Sequence, residues 1–247
     1  MDNDTTRSVI EGDVFEWLPN LPDDVAHAAV VDYPWDFNVK NGTGRFEQRT
    51  SETRQSDKHD SDSAENIYNM EDDDAFPILL DELSRAVVDG GWSVFFADDR
   101  FQDVIRDALR ESDEWIFRRN WAWSPVNIGM GYYGRVNHYP VPVATNGETD
   151  RYVQDRGTLF SHKQNRQEKD YPTEKPWQIV DEMVAEPVLS DGETLLEPFC
   201  GSAPGAAVAG RRGLGYIGGD LNPEAVEMAK ARLDDHGAAA QAGIEEF

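Results

Sequence analysis

Asp32-Tyr33-Pro34-Trp35 brings a carboxylate, a main-chain carbonyl at a proline turn and a flat indole within four residues. Drawing the lone pair of an exocyclic amino nitrogen out of conjugation with its ring, as methylation of that nitrogen requires, calls for acceptors for both amino protons. Asp32 offers one in its carboxylate, and the carbonyl of Tyr33 offers the second on a turn that Pro34 stiffens. Trp35 offers a face on which a base taken out of its stack can rest. In isolation such a tetrapeptide is an ordinary turn after a strand, so its weight depends on what else the chain carries.

A second cluster supplies that weight. Leu195-Leu196-Glu197-Pro198-Phe199-Cys200-Gly201-Ser202-Ala203-Pro204-Gly205 reads as a strand, a glycine-containing turn and a helix. This order places backbone N–H groups at the carboxyl edge of a sheet, where α/β proteins bind ligands. Pro204 suits the first helical turn, where a missing N–H costs nothing. The next strand, Gly215 to Gly219, ends at Asp220, an acid about 20 residues beyond the turn and placed to accept ribose hydroxyl protons. Asn222 can cap a helix opened by Pro223. A nicotinamide dehydrogenase would carry a fuller Gly-x-Gly-x-x-Gly and a larger substrate half.

The elements that must position these clusters follow from hydrophobic periodicity. Ser8-Val9-Ile10 and Ala26–Val31 read as strands, the latter short, apolar and closed by the Pro34 turn, with a helix-like stretch from Val14 to Leu18 between them. Helices are predicted near Phe76–Val88 and Phe101–Arg110, and strands at Trp92–Ala97, Trp115–Trp123 and Val141–Thr145. The last part alternates helix and strand: Trp177–Ala185, Thr194–Leu196, Gly205–Arg211, Gly215–Gly219 and Pro223–Leu233. Such alternation indicates a largely parallel sheet covered on both faces. Residues 40–74 are polar and read as a mobile loop, in which Arg45, Arg49, Arg54 and Lys58 serve either as a substrate clamp or as a solvated insertion. No solenoid repeat is present, and the length suits one domain over 1–247.

The 247 residues carry a formal charge of −25, from 48 acidic side chains against 23 basic ones. The acid is spread along the chain instead of gathered in a tail. That distribution suggests a salt-rich cytoplasm, where the Debye length falls to about 3 Å at 1 M and self-repulsion is screened. No apolar run approaches the ~20 residues of a membrane span, and the acidic Met1-Asp2-Asn3-Asp4 is unlike a secretory signal, so a cytoplasmic location without membrane contact is expected. The one cysteine, Cys200, excludes an internal disulfide and a cysteine-based metal site.

Taken together, these stretches resemble the β-group of amino (N6-adenine/N4-cytosine) DNA methyltransferases, which carry their catalytic motif before their cofactor motif. Asp32-Tyr33-Pro34-Trp35 stands where that family usually has Asp-Pro-Pro-Tyr. Tyr171-Pro172-Thr173-Glu174-Lys175-Pro176 is similar to its helix-opening cofactor motif, and Glu197 to Ser202 to its methionine-side loop. Asn127-Ile128-Gly129-Met130-Gly131-Tyr132-Tyr133 with Asn137-His138 is similar to its segment near the flipped base. Glu11-Gly12-Asp13 is similar to a turn whose acid contacts the cofactor's adenine ring. Two departures stand out. Tyr33 replaces a proline used through its main-chain carbonyl, and Gly201-Ser202-Ala203-Pro204 replaces Gly-Ser-Gly-Thr, so that the extra methyl of Ala203 crowds the cofactor side.

The resemblance implies a Rossmann-like S-adenosylmethionine-dependent methyltransferase fold: a mixed, mainly parallel seven-stranded sheet with helices on both faces. It implies S-adenosyl-L-methionine as cofactor and no metal, with Asp13, Thr173, Lys175, Glu197, Pro198, Phe199, Gly201, Ser202, Asp220 and Asn222 on the cofactor side and Asp32, Tyr33, Pro34 and Trp35 at the reacting base. It implies DNA as partner and target recognition within 134–170, while the spread acidic charge suggests a halophilic archaeal or haloviral source. There Arg151, Arg156, Lys163, Arg166 and Lys169 either contact phosphate or serve the surface. A restriction endonuclease is a candidate companion, and monomer and homodimer both stay open. Adenine N6 is favoured, with N4-cytosine, RNA or protein-amide methylation and a catalytically inactive DNA-binding homologue as alternatives. Cytosine carbon-5 chemistry is set aside, because its nucleophilic cysteine follows a proline and Cys200 follows Phe199. His138 is expected to orient a neighbour, and Trp121, Trp123, Tyr132 and Tyr133 to form core or pocket wall.

Overall fold

The structure, a computed structural model, describes residues 6–33, 75–96, 101–126, 134–163 and 174–242, with side chains to 234 in the last stretch. Contacts divide the chain into Met1–Tyr33 with Phe76–Phe247 and, separately, Pro34–Ala75. The fold described is that of the first unit. Residues 40–74, expected as a mobile loop, lie outside the described residues, as do Pro34, Trp35, Asn127 to Tyr133, Arg166, Lys169 and Thr173.

The elements are β1 (Arg7–Glu11), α1 (Val14–Trp17), β2 (Ala26–Asp32), α2 (Ala75–Ala86), β3 (Val87–Phe96), α3 (Gln102–Glu111), β4 (Trp115–Ser124), β5 (Tyr139–Asn146) and β6 (Leu159–Ser161). The interrupted helix α4 follows, as Trp177–Val180, a π turn at Asp181–Ala185 and Glu186–Val188, and then β7 (Thr194–Glu197), α5 (Pro204–Arg212), β8 (Gly215–Asp220) and α6 (Pro223–Ala242). The strands form one sheet in the order β1-β8-β7-β2-β3-β5-β4-β6. All pairings are parallel except those of β5 with β3 and β4.

The sheet has eight strands where seven were expected. The extra one is β6, three residues paired in parallel with β4 through Ala122↔Leu159 and its neighbours. Leu-Phe-Ser is too short to show a period of two, so only its pairing makes it a strand.

The central strands are apolar on both faces because helices cover both. Ala28 to Val31 of β2 and Val94 to Phe96 of β3 are all buried, the pattern of a doubly covered parallel sheet. Helix α2 turns Phe76, Leu79, Leu80, Leu83 and Ala86 inward, at the i, i+3, i+4 spacing of a single face. On another part of the core, Ile179, Met183 and Val184 of α4 meet Ala206, Val208 and Ala209 of α5 and Leu195 of β7. Each fully buried side chain of that size contributes roughly 1.5–3 kcal/mol. Among the described residues no helix is long and apolar enough to cross a membrane.

Candidate active site

Four parallel strands, β1, β8, β7 and β2, finish at one edge of the sheet, which places their terminal acids side by side. Glu11 pairs with Asp220 at the ends of β1 and β8. Glu197 pairs with Gly218 at the end of β7, and Asp32 with Phe96 at the end of β2. This is the carboxyl edge, where the chain leaves each strand and ligand-binding turns collect. A narrow cleft opens there, lined by Asp32, Phe96, Lys175, Glu197, Phe199 and Ser202 among others.

On the reactive side, the Asp32 carboxylate is held through Oδ2 by the Lys175 ammonium. The two residues are 143 apart in sequence, and only the strand order brings them together. Lys175 Nζ also lies 5.1 Å from the centroid of the Phe96 ring, within cation–π range. Tyr33 is 2% exposed. Its ring stacks on Phe101 at 4.9 Å and meets Phe76 and Phe199 edge-on at 5.2 and 5.5 Å. Where the methyltransferases that the sequence resembles have the first of two prolines, this chain buries an aromatic ring instead. Contacts of this kind add roughly 0.5–1.5 kcal/mol each beyond burial, which makes packing the source of rigidity.

On the glycine-turn side, Gly201 adopts φ +47° and Ala203 φ +52°. Left-handed backbone at an L-residue costs roughly 1–2 kcal/mol, so Ala203 carries strain where the family has glycine. Its side chain is fully buried, and its N–H donates to the Cys200 carbonyl at 2.6 Å. Asp220 accepts from the Gly201 amide at 2.8 Å and from the Asn222 amide at 2.9 Å. A carboxylate has about four lone-pair sites, so acceptor capacity remains. Burial raises the Asp220 carboxyl above its ordinary range even though those amides pull the other way.

Glu197 is 2% exposed. The Tyr216 hydroxyl donates to its Oε2 at 2.8 Å, and the Gly205 amide donates to it at 3.2 Å. Both bonds favour the ionised form, yet burial outweighs them and pushes its pKa from 4.5 to about 8. Burial therefore favours the neutral carboxyl of Glu197. The helix can approach it because residue 205 is glycine: a Cβ there would lie 2.7 Å from Oε2.

The structure brings Asp32, Lys175, Glu197, Phe199, Gly201 and Ser202 into one cleft and links Asp220 to it through Gly201. Pro198 continues the strand end between Glu197 and Phe199. Asp13 caps α1 by accepting from the Phe15 amide at 3.0 Å, and the Gly12 amide donates to the Asp220 carbonyl at 3.1 Å, so that turn stands beside the Asp220 end. Asn222 caps α6, accepting from the Glu224 amide at 3.0 Å, as its place before Pro223 suggested.

Outside this set, Trp121 and Trp123 are buried, and His138 Nδ1 lies 2.9 Å from Asn137 Oδ1. Arg151 is bound to both oxygens of Glu193 and to the Val188 carbonyl. Arg156 is bound to Asp155, Glu186 and the Glu182 carbonyl. These two guanidiniums anchor their segment to α4 and the chain that follows it.

Sequence reasoning missed Tyr216, Arg232 and Phe101. Arg232 donates to the Ser202 carbonyl and to the Glu174 carboxylate, each at 2.6 Å, tying the two cofactor-side segments together. No local pattern marks such residues, because each acts on a partner at least 30 positions away or on a neighbouring strand. A hydroxyl in the otherwise apolar Gly-Tyr-Ile-Gly-Gly strand was the only hint for Tyr216.

A parallel sheet with one reversed strand, and a glycine turn and an acid at adjacent strand ends, define the class: the chain has the Rossmann-like fold of S-adenosylmethionine-dependent methyltransferases. Among solved structures, the M1.HpyAVI–SAM complex matches with a TM-score of 0.63, covering 92% of this chain and 100% of that chain at 16% identity. The PvuII DNA methyltransferase, cytosine-N4-specific, matches with a TM-score of 0.66, covering 92% and 87% at 13% identity. In sequence, a 77-residue stretch is 38% identical to the type II methyltransferase M.HpaI of Haemophilus parainfluenzae and spans 30% of this chain but only 24% of that relative. No family model matches the chain.

Proposed function

We propose that the chain binds S-adenosylmethionine at the Gly201–Gly205 turn and methylates an exocyclic amino nitrogen of a DNA base, with adenine N6 favoured. The observation that carries this reading is that the Asp32 carboxylate and the glycine turn line the same cleft at the sheet's carboxyl edge. The donor set fits such a cofactor. Asp220 keeps lone pairs for ribose hydroxyls, Phe199 offers a flat face, and Gly201 and Ser202 keep the side chains of the turn small where they line the cleft.

When bound, the cofactor supplies an electrophilic methyl group on sulfur. The chain's part is to orient the amine. Asp32 accepts a hydrogen bond from one amino N–H and the Tyr33 carbonyl from the other, which returns the lone pair to nitrogen, and the single proton shed on methylation leaves by Asp32. Pro34 and Trp35, which the resemblance assigns to the reacting base, lie outside the described residues. The buried ring of Tyr33 fixes that carbonyl, so the missing proline does not loosen the turn. Burial pushes the Cys200 thiol pKa up, which suits direct transfer without a covalent enzyme intermediate. Adenine is favoured through the resemblance, since an aspartate stands at 32, and likeness to both a type II methyltransferase and an N4-cytosine enzyme keeps the cytosine amine as the second candidate. The charge of −25 suits a salt-rich working medium.

The test is incubation with labelled S-adenosylmethionine and unmethylated DNA in molar KCl, followed by nucleoside analysis. N6-methyladenine is expected. N4-methylcytosine would move the assignment to the alternative base, and label in neither would overturn it. Asp32→Ala is expected to cut transfer by at least ~10²-fold while cofactor binding persists.

A further inference from the structure

Lys175 belongs to the helix-opening motif that the resemblance assigns to the cofactor, yet its ammonium lies on Asp32. We propose that Lys175 is a positioning residue for the reacting carboxylate: it holds Asp32 by Oδ2 and leaves Oδ1 to accept the amino proton. This rests on the proposed function of the site and changes the role of one residue within it.

The burial of the two partners is unequal. Lys175 has a side chain 7% exposed and Asp32 one 30% exposed. The lysine thus sits behind the carboxylate, while the carboxylate keeps access to the cleft. An ammonium is a point charge on a flexible four-carbon stem, so its use as a positioning device depends on a stiff base. The structure supplies one. Glu174 is bonded to Arg232, which also donates to the Ser202 carbonyl. Pro176, on the other side, stands in extended backbone at φ −64° as the residue before α4.

The far end is equally confined, with Phe96 beneath the ammonium and paired in register with Asp32 on the adjoining strand. Staked at its backbone and seated on an aromatic face, the lysine fixes two side-chain torsions of Asp32 that the strand end alone leaves open. Displacement of a reacting group by about 1 Å can cost on the order of 10²-fold in rate, so the effect belongs in turnover. A lysine serving the cofactor would act in binding.

The experiment compares Lys175→Met with the parent chain, reading cofactor affinity by calorimetry and turnover at saturating cofactor and DNA. Turnover is expected to fall by about 10²-fold with cofactor affinity unchanged. Lys175→Arg, which keeps a positive charge behind Asp32, is expected to retain more of the turnover than Lys175→Met. Weakened cofactor binding with turnover intact, or no change in either, would overturn the proposal.

A cycle of melting temperatures through Asp32→Asn, Lys175→Met and the double variant reads the pairing without any turnover. Non-additive shifts are expected, and additive ones would count against the pair. If the parent chain transfers no methyl group to DNA, the proposed function falls, and the cycle alone then decides whether Lys175 holds Asp32. Should Lys175→Met not fold, Lys175→Gln carries the same comparison, keeping a donor without the charge.

Discussion

Glu197 shows how much one residue's neighbours decide. Its place after Leu195-Leu196 and before a proline marked it as a site residue, but its protonation is set by burial, against which the hydroxyl of Tyr216, 19 residues on and on the adjacent strand, pulls the other way, and no reading of local sequence supplies either. With a pKa raised from 4.5 to about 8, the folded chain binds this proton more tightly than the unfolded chain does. The stability it contributes is therefore fully present below 4.5 and is lost as pH rises through about 8. Glu197→Gln keeps an acceptor for the Tyr216 hydroxyl and the Gly205 amide and removes the titration. Melting both proteins from acid to alkaline pH is expected to show the parent losing on the order of 10 °C relative to the variant. A constant difference would mean that Glu197 is already ionised at neutral pH. The strain at Ala203 is another feature the sequence only half disclosed. The missing glycine was visible, and the left-handed backbone it imposes on alanine was not.

At the scale of elements, α4 has a break with a definite cause. The Glu186 amide donates to the Asp181 carbonyl, a bond over five residues. Continuing that ladder would require an amide at residue 187, which is proline. The Glu182 carbonyl is thereby left without its helical partner, and Arg156 Nη1 donates to it at 2.9 Å. The bond is part-buried, so Arg156→Ala is expected to destabilise by about 1 kcal/mol, the lower end of the cost of an unsatisfied acceptor, in urea titrations. Arg110→Ala, which removes an exposed pair with Asp107 one helical turn away, is expected to stay within about 0.5 kcal/mol. Equal effects would show that Arg156 is no more than another surface ion pair. The basic stretch of 151–169 was legible as basic, but two of its arginines are committed to α4 and the chain beyond it. The fold itself was largely legible: apolar runs and 3.6-residue spacing marked β2, β3, α2, α3, β7, α5, β8 and the start of α6. What escaped were the three-residue β6 and the π turn, because each is made by a long-range partner or a single proline and leaves no periodicity of its own.

For the whole molecule the governing quantity is the excess of carboxylates. Arg85, Arg118, Arg151, Arg156, Arg212 and Arg232 are each paired with an acid, so much of the scarce positive charge is already engaged while the chain stays at −25. Two like charges about 10 Å apart in water repel by only about 0.4 kcal/mol, but a surface of this composition holds many such pairs. The Debye length is about 10 Å at 0.1 M and about 3 Å at 1 M, so repulsion over that distance survives in dilute buffer and is almost gone in molar salt. Melting temperature is therefore expected to climb steeply between about 0.1 M and about 1 M KCl and then flatten, with NaCl giving the same curve. A gain from solute exclusion behaves differently, rising steadily with concentration and depending on the identity of the salt. A flat or falling curve over the first decade of salt would remove charge repulsion as the main constraint on this fold. The same screening governs the approach of a polyanion. If the proposed function holds, the long-range field of this chain opposes DNA, so salt would lower a barrier, and contacts to the duplex would come from base stacking and base edges more than from phosphate.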